Sequence, residues 1–247
     1  MQGGTSLSET LAQYSALMVM KHLYGPDKIR RFLKYELDNY LRSRAGEAVE
    51  EVPLERVENQ GYVHYRKGAV VMYLLQQRLG EDAVNSALSR FLAKYRFKGP
   101  PYPRSLDLIA ELRKEAGTPE QQQLITDLFG RITLYDLKVT DASTRKTGDG
   151  WTTTLTIAAN KYYANGKGEE SKAKLDEAIE VGLFAARPGL GEFSAKDVIV
   201  MGRERLHDGS QRVTLASKAK PAFAGVDPYN FYIDRNSDDN VKAVTAG

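Results

Sequence analysis

Two short segments hold residues whose types and spacing suit carbonyl or metal chemistry. Glu9 lies in Ser8-Glu9-Thr10-Leu11-Ala12-Gln13-Tyr14. Around it Leu7, Leu11, Tyr14 and Met18 form one apolar stripe, and Ala12, Ala16, Val19 and Met20 line another side. A helix apolar nearly all round is expected to be buried, and a carboxylate there needs a cation, hydrogen-bond donors or a metal. A structural ion pair, or a place at a helix N-terminus, satisfies it equally well. The second segment is Gly61-Tyr62-Val63-His64-Tyr65-Arg66-Lys67-Gly68. Hydroxyls near a helix start can donate to a reacting oxyanion, although tyrosines also pack at half-buried positions with the hydroxyl in water. Gly68 inside a helix costs about 1 kcal/mol against Ala, so its presence predicts the close approach of another segment.

The helices and strands that position these residues change character near residue 132. Before it, apolar residues recur at spacings of three and four, which predicts about six helices. The first runs to about residue 22, with Thr5, Ser6 and Ser8 as N-caps. Gly25-Pro26 ends it and opens a second, whose stripe is Ile29, Phe32, Leu33, Leu37, Tyr40 and Leu41. Further helices are expected over 63–79, over 81–95, from a Ser105 cap to Gly117, and from Thr118 to about Gly130. Thr118 and Gln121 have capping-box spacing. After 132, β-rich runs near 134–145, 151–162, 173–186, 198–206, 211–217 and 230–234 are separated by Asp149-Gly150, Asn165-Gly166 and Asp208-Gly209 turns. The fold class expected is α+β, segregated: an α-helical segment over 1–132, then an antiparallel β-sandwich over 133–247.

Composition narrows the chemistry. The chain has 247 residues, 42% apolar and 27% charged, with 35 Lys+Arg against 32 Asp+Glu. That balance does not argue for a nucleic-acid partner. No cysteine is present, which removes thiolate catalysis and Cys-ligated metals. The three histidines, His22, His64 and His207, are too scattered for a His cluster and are read as structural or exposed. Lys28, Arg30, Arg31 and Lys34 read as a solvated face, and Trp151 as a core residue at a strand start. No stretch is long and apolar enough to span a membrane, and Met1–Thr5 lacks a leader pattern, so the chain is expected to be soluble.

Taken in order, the two segments resemble a known family. Ser8-Glu9-Thr10-Leu11-Ala12-Gln13-Tyr14 is similar to the third-ligand segment of the M1 zinc aminopeptidases, and Tyr65-Arg66-Lys67-Gly68 resembles their Tyr-x-Lys-Gly motif. The whole chain resembles the C-terminal stretch of bacterial M1-like proteins fused to an ABC-transporter-type permease. Its end, Val226-Asp227-Pro228-Tyr229-Asn230 through Ile233-Asp234-Arg235-Asn236, is similar to their closing strand. The resemblance implies that Glu9 is a zinc ligand and that Tyr65 stabilises the oxyanion. It implies that Tyr14 packs on the Glu9 helix behind the ligand, and that Lys67 and Gly68 are structural members of the motif. It also implies zinc as the parent's cofactor, a peptide as its substrate, and a membrane-associated bacterial setting.

The family's His-Glu-x-x-His, whose histidines at i and i+4 bind zinc and whose Glu is the general base, is not in the sequence. The chain therefore reads as a fragment lacking the upstream catalytic segment, inactive alone and binding zinc weakly, since a catalytic zinc takes about three protein ligands. The apolar second face of the first helix, lacking that segment, would be partly exposed and would support self-association. The alternative is a non-catalytic module that binds peptide or a partner beside a membrane transporter.

Overall fold

The computed structural model describes residues 3–247; Met1 and Gln2, the start of the stretch read as having no leader, lie outside them. Helices fill the N-terminal part and two sheets, almost wholly antiparallel, the C-terminal part, so the chain is segregated α+β. The helices are α1 (Leu11–Tyr24), α2 (Ile29–Gly46), α3 (Gly68–Leu79), α4 (Glu81–Tyr95), α5 (Ser105–Glu115) and α6 (Pro119–Phe129). The strands are β1 (Ile132–Thr147), β2 (Gly150–Ala164), β3 (Glu170–Ala173), β4 (Asp176–Phe184), β5 (Val198–His207), β6 (Gly209–Ser217), β7 (Phe223–Val226), β8 (Val241–Ala243) and β9 (Thr245–Ala246). No described helix is long and apolar enough to cross a membrane. The chain divides into two compact units. One holds Met1–Val19, Tyr35–Thr133 and Tyr163–Glu170; the other holds Met20–Lys34, Leu134–Tyr162 and Ser171–Gly247.

In the first unit α3 is the central element. Gly68 through Gln76 are all buried, as expected of a helix apolar on every side, and α4, α6 and the Ser6–Thr10 segment pack around it. The Thr118–Gln121 capping box forms: the Gln121 backbone N–H donates to Thr118 Oγ1 at 3.2 Å, and the Thr118 N–H to Gln121 Oε1 at 3.2 Å. Ser105 is not a cap. Helix α5 starts on it, Asp107 accepts from the Arg104 N–H at 2.8 Å, and the Ser105 hydroxyl donates to the Glu55 carbonyl. Nor do Thr5 and Ser6 cap the first helix; their hydroxyls donate to the carbonyls of Val57 (2.8 Å) and Leu54 (2.6 Å). These side chains fasten the helix start to the 54–57 loop instead of closing their own backbone.

In the second unit one sheet has the order β3-β2-β1-β9 with β6 also on β2, and the other the order β5-β4-β7-β8. Buried and half-buried positions alternate from Thr153 to Lys161 in β2, whereas Ile179–Phe184 of β4 are buried on both faces. The run 173–186 is strand β4 over Asp176–Phe184, with Ala173 ending β3, and 230–234 is not a strand. There the Asp227 carboxylate accepts the N–H groups of Phe231 (2.9 Å) and Tyr232 (3.1 Å), and Asp227 and Asn230 take positive φ. A side chain thus holds the backbone donors that a strand would give to a neighbour. The basic cluster is only in part a solvated face: Arg31 is exposed, but the other three are engaged. Arg30 is buried and donates to the Pro228 carbonyl at 2.8 Å, Lys28 donates to the Phe193 carbonyl, and Lys34 pairs with Asp238 at 3.0 Å. Trp151 is only half-buried, with the Lys220 ammonium 5.2 Å from its ring centroid.

Candidate functional site

Glu9 and Tyr65 lie on two separate turns of the same unusual kind. Ser6–Thr10 and Tyr62–Lys67 are both π-helical, each running straight into an α-helix. Such widened turns are rare and concentrate at functional sites; nothing in the residue pattern signals them. The two segments pack on each other, and Gly68 is what permits it. A Cβ built there would fall 2.7 Å from Thr10 Cγ2 and 3.0 Å from Thr10 Cβ. Thr10 Oγ1 also donates to the His64 carbonyl at 2.5 Å. The close approach expected at Gly68 is therefore made by the residue that follows Glu9.

This packing brings the candidate pair together. The Tyr65 hydroxyl lies beside the Glu9 carboxylate, whose interaction with it holds the phenol above its ordinary pKa of 10.0. Tyr65 is 37% exposed and Glu9 half-buried, so both remain accessible from outside. His64 is buried edge-on against Tyr65, with ring centroids 4.7 Å apart, and its Nδ1 has no hydrogen-bond partner. Burial pushes the imidazole pKa below 6.5, partly offset by the Glu9 charge. His64 is thus a neutral neighbour of the pair, a position its spacing alone does not reveal.

The other motif residues sit deeper. Tyr14 is buried, its hydroxyl lacks a hydrogen-bond partner, and burial with the Glu81 charge raises its pKa. Lys67 is 1% exposed; its ammonium reaches Glu51 Oε1 at 2.9 Å and lies 5.4 Å from the Tyr40 ring centroid. Glu51 also accepts from the Tyr40 hydroxyl at 2.7 Å and from Arg44 Nε at 2.8 Å. Burial alone would raise the Glu51 pKa, but these partners, Lys67 foremost, hold it below 4.5. The Lys67 side chain therefore leaves Tyr65 for the interior and ties the π-helical turn to the loop that carries Glu51.

The all-round burial expected of the first helix does not occur. Only Tyr14 and Leu17 of α1 are buried, while Ala12 and Ala16 are exposed and Val19 and Leu23 are 54% and 65% exposed. The face carrying Ala12, Ala16 and Val19 is the one left open. Among the described residues no group of three or more His, Asp and Glu is arranged to hold a metal, so Glu9 is a single donor with a phenol beside it. No protein-family model matches the chain, and no curated protein matches it.

Proposed function

We propose that the chain supplies one part of an M1-type metallopeptidase site, with Glu9 as a zinc ligand and Tyr65 as the hydroxyl that stabilises the tetrahedral oxyanion. The parent would remove residues from peptide N-termini and be a membrane-associated bacterial protein with an ABC-transporter-like permease. The observation that carries this reading is the packing of two π-helical turns that sets the Tyr65 hydroxyl beside the Glu9 carboxylate. A ligand carboxylate and an oxyanion donor have to meet at one reacting carbonyl, and these two groups already meet.

Bound zinc would polarise the carbonyl and activate a water. The chain's own residues do the rest. Glu9 offers a carboxylate at a half-buried position, and Tyr65 is an O–H donor at neutral pH, its pKa raised further above 10.0 by Glu9. Thr10 against Gly68 fixes the distance between the two turns, and Lys67 anchors the second from below. The remaining ligands and the general base belong, in this reading, to a His-Glu-x-x-His helix that the 247 residues do not contain. That helix would cover the open face of α1, and without it the same face would support self-association.

The test is a calorimetric zinc titration of the chain and of Glu9→Ala, repeated on a longer form carrying such a helix. Weak binding by the chain, and by the longer form tight binding that Glu9→Ala abolishes together with peptide hydrolysis that Tyr65→Phe abolishes, are the expected results. A longer form that binds zinc equally well without Glu9 would overturn the assignment.

A further inference from the structure

A cavity of about 500 Å³ opens elsewhere in the same unit, lined by Arg44, Glu47, Glu50, Glu51, Tyr62 and Lys167 together with the Gly166 and Gly168 backbone. Two donors in its wall are unused. Arg44 donates from Nε to Glu51, but its Nη2 is buried without a partner. Tyr62 is 8% exposed, stacks on Tyr40 with ring centroids 6.1 Å apart, and its buried hydroxyl also lacks a partner. Burial, together with the charges of Glu51 and Glu47, pushes the Tyr62 pKa up to about 12, so it remains an O–H donor. Buried donors left unmade are costly, and a guanidinium edge beside a phenol matches a planar carboxylate.

The charges around the cavity have two signs. At its floor Arg44 and Lys67 both bind Glu51. At its rim Glu47 and Glu50 face one cation, Lys167, whose ammonium is 3.9 Å from Glu50, and Glu170 acts on Arg44 as well. We propose that this cavity binds a small zwitterion, of amino-acid or dipeptide size, whose carboxylate takes Arg44 Nη2 and the Tyr62 hydroxyl and whose ammonium faces Glu47 and Glu50. Access to both donors requires the 166–168 turn, tied by the Glu51 N–H to the Gly166 carbonyl at 2.9 Å, to move aside. The site is independent of the zinc reading.

The experiment is a nitrogen-15 NMR titration of the chain with glycylglycine, and separately with acetate, ethylammonium and inorganic phosphate. Glycylglycine should give saturable shifts at Gly166 and Gly168 and bind about tenfold tighter than either singly charged probe, the scale of one charge-assisted hydrogen bond. Tyr62→Phe removes a hydroxyl that no protein group uses, so the variant should fold normally and bind about tenfold more weakly. Arg44→Lys should weaken binding at least as much. Phosphate binding tighter than glycylglycine, no preference over acetate, or unchanged affinity in Tyr62→Phe would overturn the proposal.

Discussion

Thr10 occupies the space that a side chain on Gly68 would need, and through that contact Glu9 is held against Tyr65. A Gly68→Ala substitution would gain helix propensity of about 1 kcal/mol but put a methyl 2.7 Å from Thr10 Cγ2. Overpacking of this kind costs typically about 1–3 kcal/mol, so the net expectation is a loss of up to about 2 kcal/mol. Thr10→Ala removes the clashing atoms, and the double variant should recover part of the loss. Chemical denaturation of the four proteins in this cycle measures the coupling; additive effects would mean that the two residues do not press on each other.

The interaction of Tyr65 with Glu9 is visible in solution through the phenol. Because Glu9 favours the neutral form, Tyr65 should ionise above pH 10.0 in the chain and move back toward it in Glu9→Ala. Carbon-13-labelled tyrosine followed by NMR against pH separates this residue from the rest. An unchanged Tyr65 titration in Glu9→Ala would show that the two groups do not meet.

Lys67 is bound to Glu51 where water does not reach. Removing one partner of a buried pair costs about 3–5 kcal/mol, because the other charge is stranded. Arg44 and Tyr40 still hold Glu51, so Lys67→Met should cost about 3 kcal/mol, the low end. Adding Glu51→Gln should return much of it, read by the same denaturation curves. A double variant no better than Lys67→Met would assign the cost to lost packing instead of charge.

What could be read from the residues was local. Helix α4 runs over the expected residues 81–95, and the Thr118–Gln121 box closes as its spacing requires, because propensity and capping act within a few residues. The close approach at Gly68 was legible for a similar reason: a glycine inside an apolar helix gives up propensity that an alanine would keep, and a neighbour too close for a methyl group makes that loss worthwhile. The π-helical turns at Ser6–Thr10 and Tyr62–Lys67 were not, since no residue type marks them. The run 230–234 has strand-like residues, yet Asp227 takes the N–H groups of Phe231 and Tyr232 through a contact that depends on the folded loop. Arg30 looked solvated beside Arg31 and Lys34, but the Pro228 carbonyl, 198 positions away, claims it. The vacant donors Arg44 Nη2 and Tyr62 Oη likewise become apparent only when the chain is folded.

Asp234 gives the sharpest pH prediction. It is fully buried, and burial pushes its pKa from 3.8 up to about 7, against the N–H groups of Leu137 (3.2 Å) and Asn236 (3.1 Å) and the Asn240 side chain, which favour the anion. Asp136 adds repulsion, itself bridged to Arg235 at 2.8 Å. The folded chain therefore holds a proton that the unfolded chain has released. The stabilisation from this group is complete below about pH 4 and is lost as pH rises toward 7, at about 1.4 kcal/mol per pKa unit. Asp227, raised by burial and by Glu180, acts in the same direction. Asp234→Asn cannot titrate, but its amide meets one backbone N–H that the carboxyl accepts, a loss of about 1 kcal/mol. The variant should thus be slightly less stable than the parent chain at about pH 3.5 and more stable at about pH 8. Denaturation midpoints at the two values test the crossover, and parallel pH profiles for the two proteins would show that Asp234 stays ionised when folded.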